Sequence, residues 1–173
     1  MDHDHDSTAA PVYARRTARV IVLDAHHRVL LLRVHRIPHD PSAGVDWYTP
    51  GGGVEPGETV RQAAVRELHE ETGLIAAAED LQPVATTSGH AEADWISGLV
   101  RDDFFLLTID HHQVDTSGQT DQEQHTHDGF CWWNVADLDE TNDRIYPPSL
   151  PQLLPRLMTG EVQDRIVHLP WVW

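Results

Sequence analysis

Lysine is absent from this 173-residue chain, and its twelve cationic side chains are all arginine. They face 28 aspartates and glutamates, which leaves a formal net charge of −16. A field of that sign repels a long polyanion and argues against extended binding along a nucleic-acid backbone. Cysteine occurs once, so no intrachain disulfide can form, and the place of Cys131 between Phe130 and Trp132 marks it for packing. No apolar run is long enough to span a membrane, and the N-terminus lacks the apolar stretch of a signal peptide. The expected protein is therefore cytoplasmic, a single domain large enough to bury a core without staples.

What is present is concentrated between residues 52 and 74, GGVEPGETVRQAAVRELHEETGL. A glycine-rich loop, TPGGGVEPG, ends at Glu58 and Thr59. From there to Thr72 the chain holds helix formers with no proline or glycine, and Gly73 supplies a C-terminal stop. On a helix, Glu67, Glu70 and Glu71 stand at i, i+3 and i+4 and share an arc of roughly 100°. Val60, Ala63 and Ala64 precede them on the same stripe, so an apolar face becomes acidic toward its C-terminal end. A face that begins apolar points inward.

Carboxylates crowded on such a face repel one another, and a cation must offset the repulsion. Hard oxygen ligands suit Mg²⁺ or Mn²⁺, and a site of a few carboxylates leaves positions open for phosphate oxygens. The full spacing is G-x5-E-x7-R-E-L-x-E-E-x-G-L, carried by Gly52, Glu58, Arg66, Glu67, Leu68, Glu70, Glu71, Gly73 and Leu74. This segment resembles the Nudix box, and every specified position is matched. The resemblance implies a hydrolase that cuts the pyrophosphate linkage of a nucleoside diphosphate derivative with a divalent metal. It makes Gly52, through its carbonyl, and Glu67, Glu70 and Glu71 the expected metal ligands. Arg66 is expected to hold carboxylates of the helix, with Glu58 its first partner.

The flanks extend the resemblance over most of residues 13–158. Apolar, β-branched runs at 17–24 and 28–34, separated by AHH, read as strand, turn and strand. Residues 47–49 read as a strand end leading into the glycines, 83–89 and 103–110 as further strands, and 129–138 as a strand entering a helical turn. Residues 149–160 read as a closing amphipathic helix, with Leu150, Leu153, Leu154 and Leu157 in phase, Pro155 against it and Gly160 as its stop. The elements predict the family's α/β/α sandwich with a mixed sheet. Residues 1–12, with their alternating Asp and His, read as a disordered tail. Residues 161–173 form an apolar tail that docks on the domain or on a second subunit, which makes a homodimer the expected assembly.

Two questions stay open at this level. The proton of the attacking water needs an acceptor, and the candidates are a helix glutamate, Glu123, His125 or His127, the last three from the long polar segment 111–128. The nucleotide is also unassigned. Marks that resemble ADP-ribose or dinucleoside polyphosphate enzymes are missing at Gly89-His90-Ala91, which leaves a nucleoside triphosphate, a sugar nucleotide like ADP-ribose or a damaged nucleotide. Any of Arg15, Arg16, Arg19, Arg33 and Arg36 can meet its phosphates. The competing class is an inactive nucleotide-sensing regulator with the same fold. A complete box, and only thirteen residues after position 160, weigh against it.

Overall fold

The computed structural model describes residues 11–37, 40–93, 95–162 and 165–172. The Asp/His tract of residues 1–10 and Trp173 lie outside them. Two antiparallel strands come first, β1 (Arg15–Asp24) and β2 (Arg28–His35), with His27 in the left-handed conformation between them. β3 (Val45–Tyr48) pairs with β2, and β4 (Gly51–Gly53) pairs with β1. The helix α1 (Val60–Thr72) follows. A long hairpin, β5 (Gln82–Ala93) and β6 (Ile96–Ile109), then returns β6 parallel to β1. The six-residue helix α2 (Asp121–Thr126) leads into β7 (His127–Asn134) on β2. β8 (Arg144–Tyr146) runs parallel to β3, α3 (Leu150–Met158) follows, and β9 (Val167–His168) runs parallel to β5.

The main path of this mixed sheet is β8-β3-β2-β1-β6-β5-β9. Its two faces can be read from the period of two along β1. Ala18, Val20 and Val22 face one layer, where Ala63, Ala64 and Leu68 of α1 cover them. Ile21 and Leu23 face the other, where Leu150, Leu153, Leu154 and Leu157 of α3 close the core with Phe104 and Trp47. The α/β fold expected from the sequence is the fold observed. Pro155 lies inside α3, and the four buried leucines hold the helix against the sheet in spite of its missing N–H.

The segment 111–128 departs from a structureless loop. Thr120 and Glu123 form a capping box: the Thr120 hydroxyl oxygen accepts from the Glu123 N–H, and Glu123 Oε2 accepts from the Thr120 N–H at 2.7 Å. That local pair nucleates α2 at the point where β7 begins.

The β3 edge is held by a buried ion pair. Asp46, with only 7% of its side chain exposed, accepts from Arg36 Nη2 and Arg144 Nη2, each at 2.7 Å. Burial alone raises the Asp46 carboxyl, but the hydrogen bonds and charges of Arg144 and Arg36 outweigh it and hold it below its ordinary 3.8. Such a group stabilises the fold above its ordinary value, and that contribution is lost as pH falls through its folded value. Asp46→Asn is accordingly expected to cost about 1–3 kcal/mol at neutral pH in urea unfolding. The gap to wild type should close under acid, below 3.8.

Candidate active site

Gly51 is where the site begins. Its φ of +137° suits glycine alone, and a Cβ there would lie 2.1 Å from the Ala18 carbonyl oxygen. At Gly52 a Cβ would fall 2.5–2.7 Å from the Glu67 carboxylate. Glycine at these positions thus lets β4 lie against both β1 and the acidic end of α1. The helix is fixed in register at its two ends. Thr59 and Gln62 form a capping box at the start, and Gly73, with φ +70°, donates its N–H to His69 O at 2.8 Å at the end.

Within this frame Glu71 and Glu67 are buried, with 5% and 8% of their side chains exposed. Glu71 Oε2 accepts from the Gly51 N–H at 2.6 Å. Burial pushes the Glu71 carboxyl up to about 8, against the Gly51 hydrogen bond and the Arg19 charge, while Glu67 and Glu123 add repulsion. Glu67 is raised as well, by burial first, with Arg66 opposing and Glu123 and Glu70 adding to it.

One guanidinium serves the rest of the acidic face. Arg66 Nε and Nη2 each donate at 3.0 Å to the two oxygens of Glu58, and Nη2 also reaches the Gly53 carbonyl at 3.0 Å. Nη1 donates to Glu67 at 2.8 Å and to Glu70 at 3.1 Å. The Arg66 hydrogen bonds hold Glu58 below its ordinary value despite some desolvation. Glu70 is therefore at the rim, facing Arg66.

The third carboxylate comes from the opposite side. One oxygen each from Glu67, Glu71 and Glu123 can be chosen so that all lie within 4.8 Å of one another. The last carbonyl of α1, which has no partner within the helix, anchors the segment that carries Glu123: Thr72 O accepts the Asp115 N–H at 2.9 Å and lies 2.8 Å from His112 Nε2, which ties that segment over the helix end. Glu123 Oε2 is taken by the Thr120 cap, and Oε1 meets no hydrogen-bond partner among the described residues. His127 joins from β7. Gln119 Nε2 lies 2.9 Å from its Nδ1, which makes Nδ1 the acceptor and places the ring proton on Nε2, 3.7 Å from Glu71 Oε1. Burial lowers the His127 pKa, with the Glu123 charge opposing and the Arg19 charge adding to it. His125 is exposed and directs Nδ1 to the Asp121 carbonyl of its own helix. Three buried or half-buried carboxylates with one cation, Arg66, on their outer side fit a divalent ion with oxygen ligands.

A cleft of about 410 Å³ has Arg15, Thr17 and Arg19 of β1 along it. Arg19 joins this cleft to the carboxylates. Its Nη1 donates to Thr49 O at 3.1 Å and Gly51 O at 2.9 Å, and its guanidinium stands 5.5 Å over the Tyr48 ring. Its Nε is buried without a hydrogen-bond partner. Arg19 was one of five arginines left open by the sequence. Alternation puts it on one face with Arg15 and Thr17, and contacts distant in the chain, to Thr49 O, Gly51 O and the Tyr48 ring, set it apart from the other four.

The NUDIX domain family model matches residues 14–156. A putative 8-oxo-dGTP diphosphatase of Bacillus subtilis (strain 168) is 45% identical over 60 residues, 35% of this chain and 36% of that protein. The match thus spans about a third of that relative's length. Among solved structures, the MutT NUDIX hydrolase from Burkholderia pseudomallei superposes with a TM-score of 0.61 at 19% identity, over 81% of this chain and 96% of that one. The mutator MutT protein from Bacillus halodurans gives 0.62 at 20% identity, over 90% and 88%. The dihydroneopterin triphosphate pyrophosphohydrolase of E. coli gives 0.59 at 22% identity, over 87% and 99%. At these identities the likeness is one of fold.

The buried charge of Glu71 has a measurable cost. Its folded pKa lies above its ordinary 4.5, so the metal-free protein loses stability as pH rises from 4.5 toward 8. Glu71→Gln keeps an acceptor for the Gly51 N–H and removes the charge. The metal-free variant is expected to melt several degrees above metal-free wild type at pH 8, with the gap closing by about pH 5. Equal melting temperatures at pH 8 would contradict the assignment of a buried, uncompensated charge.

Proposed function

The chain belongs to the Nudix family, and from that premise we propose that it is a metal-dependent pyrophosphohydrolase acting on a nucleoside diphosphate derivative by attack of water at phosphorus. The observation that carries this reading is the convergence of Glu67, Glu71 and Glu123 beside an arginine-bearing cleft. Glu67 and Glu71 hold the cation, with the Gly52 carbonyl and Glu70 at hand on the same loop and helix. When bound, Mg²⁺, with Mn²⁺ as a substitute, supplies Lewis acidity that neutralises phosphate oxygens and acidifies water.

The protein groups divide the remaining work. Arg66 orients Glu67 while its fork on Glu58 keeps it in place, so it supports the ligands without touching substrate. Arg19, pinned on one side by two backbone carbonyls, turns the rest of its guanidinium to phosphate. Glu123 takes the proton of the attacking water, because it is half-buried, belongs to a different element from the other two acids, and has an Oε1 with no hydrogen-bond partner among the described residues. Burial of Glu67 and Glu71 in a weakly polar setting strengthens every charge interaction at the reacting phosphate.

Nucleoside triphosphates, oxidised ones among them, are the first substrates to try, since the Bacillus relative is named for 8-oxo-dGTP. ADP-ribose is the second. A panel of both classes, assayed with Mg²⁺ and Mn²⁺ for release of nucleoside monophosphate, tests the reading; release from no member refutes it. On the best substrate, Glu71→Gln and Glu67→Gln should each lower kcat by at least about a hundredfold and abolish the rise in melting temperature caused by Mn²⁺. Glu123→Gln should lower kcat comparably while keeping most of that rise. A Glu123→Gln enzyme within a few-fold of wild type would return the base to the helix.

A further inference from the structure

The cleft has a direction. Arg19, Thr17 and Arg15 are alternate residues of one strand, so they line it in order over about 13 Å. At the Arg19 end are Gly51 and the carboxylates. At the other, Arg15 is paired with Val100, and Val100 with Gly89 on β5. This distal end is bounded by two tryptophans that come from outside the central strands.

Trp95 stands at the turn between β5 and β6, with the Arg15 guanidinium 5.7 Å from its ring centroid. Trp171 comes from the C-terminal segment, which is strapped along β5 by a series of polar contacts. Val167 and His168 pair with Ala85 and Thr86, and Leu169 N–H donates to Thr86 O at 2.8 Å. Thr87 Oγ1 donates to Pro170 O at 3.2 Å, and Trp171 Nε1 donates to His90 O at 3.3 Å. The indole then packs on Gly89 so closely that a Cβ there would lie 2.2 Å from its Cγ and Cδ1. Position 89 is held to glycine by this side chain, since its backbone lies outside the left-handed region.

We propose that Trp171, seated on Gly89, is a base-binding residue: with Trp95 it forms aromatic walls at the distal end of the cleft that receive the heterocyclic base of a nucleotide. The assignment rests on the nucleotide reading above, in which phosphates occupy the Arg19 end. A base fits this end because every base has a π-face, and stacking on an indole rewards a flat ring whatever its hydrogen-bonding edge. The strap is thus a wall of the substrate site.

Binding of a non-hydrolysable α,β-methylene deoxynucleoside triphosphate, measured by calorimetry with Mg²⁺, tests this in wild type, Trp171→Ala, Trp171→Phe and Gly89→Ala. Inorganic pyrophosphate, which has phosphates and no base, is titrated in parallel. Trp171→Ala and Gly89→Ala are expected to weaken the nucleotide about tenfold or more, with Trp171→Phe within about threefold of wild type. Pyrophosphate should bind all four proteins alike. Unchanged nucleotide binding in Trp171→Ala and Gly89→Ala overturns the proposal, and so does an equal loss for pyrophosphate, which would make the strap a support of the fold. A wild-type protein that binds the analogue but hydrolyses no nucleotide refutes the catalytic reading and leaves the strap assignment standing.

Discussion

Negative charges held close together and out of water are the constraint on which the rest of the site depends. Glu67 and Glu71 are buried on one helical turn, Glu123 arrives from α2, and repulsion among them must be resisted by the fold before any ligand does so. Arg66 takes part of that load on the outer side. Its five contacts to Glu58, Glu67, Glu70 and the Gly53 carbonyl make it a hub, and the helix caps at Thr59 and Gly73 keep the hub in register. Glu71 lies beyond its reach and is answered by the Gly51 N–H and the charge of Arg19. The glycines matter for the same reason: a Cβ at Gly52 would occupy the space of the Glu67 carboxylate.

Gly51 links the carboxylates to the cleft through the two peptide groups of a single residue. Its N–H is given to Glu71 and its carbonyl to Arg19, so a displacement at either side is felt at the other. The sheet provides room for this. Along one edge β1 is paired with β2 at Leu23 and with the short β4 at residues 17–19, so Arg19 and Gly51 meet where the strand changes partner. The net acidity of the chain is offset locally in the cleft, where Arg15 and Arg19 are gathered on one face of β1.

Legibility in the sequence followed the range of the interactions. The box, the helix from Glu58 or Thr59 to Thr72 and its glycine stop are local patterns, and the structure has that helix as Val60–Thr72 with Thr59 as its cap. The apolar, β-branched runs 17–24 and 28–34 are likewise present within longer observed spans. Short strands such as Arg144–Tyr146 and Val167–His168 carry no periodic signal in two or three residues and exist only through their partners. The same divide runs through the site. Glu58, Arg66 and Glu67 sit where helical spacing puts them, whereas the pairing of Glu71 with Gly51, the arrival of Glu123 and His127, and the choice of Arg19 among five arginines depend on contacts distant in the chain. Glu70 shares the arc and is held by Arg66, while the grouped oxygens belong to Glu67, Glu71 and Glu123.

The alternation along β1 separates two kinds of inheritance. Ala18, Val20 and Val22 are committed to the layer beneath α1, and with it to the cation-holding machinery. Arg15, Thr17 and Arg19 point the other way, into the cleft. Substitutions at 15 and 17, and at the hairpin and strap that complete the distal wall, can accumulate without disturbing the packing under the helix. A lineage built on this strand can therefore change what it recognises while the bond it breaks stays the same, and Arg19, which serves both ends, is the residue least free to drift.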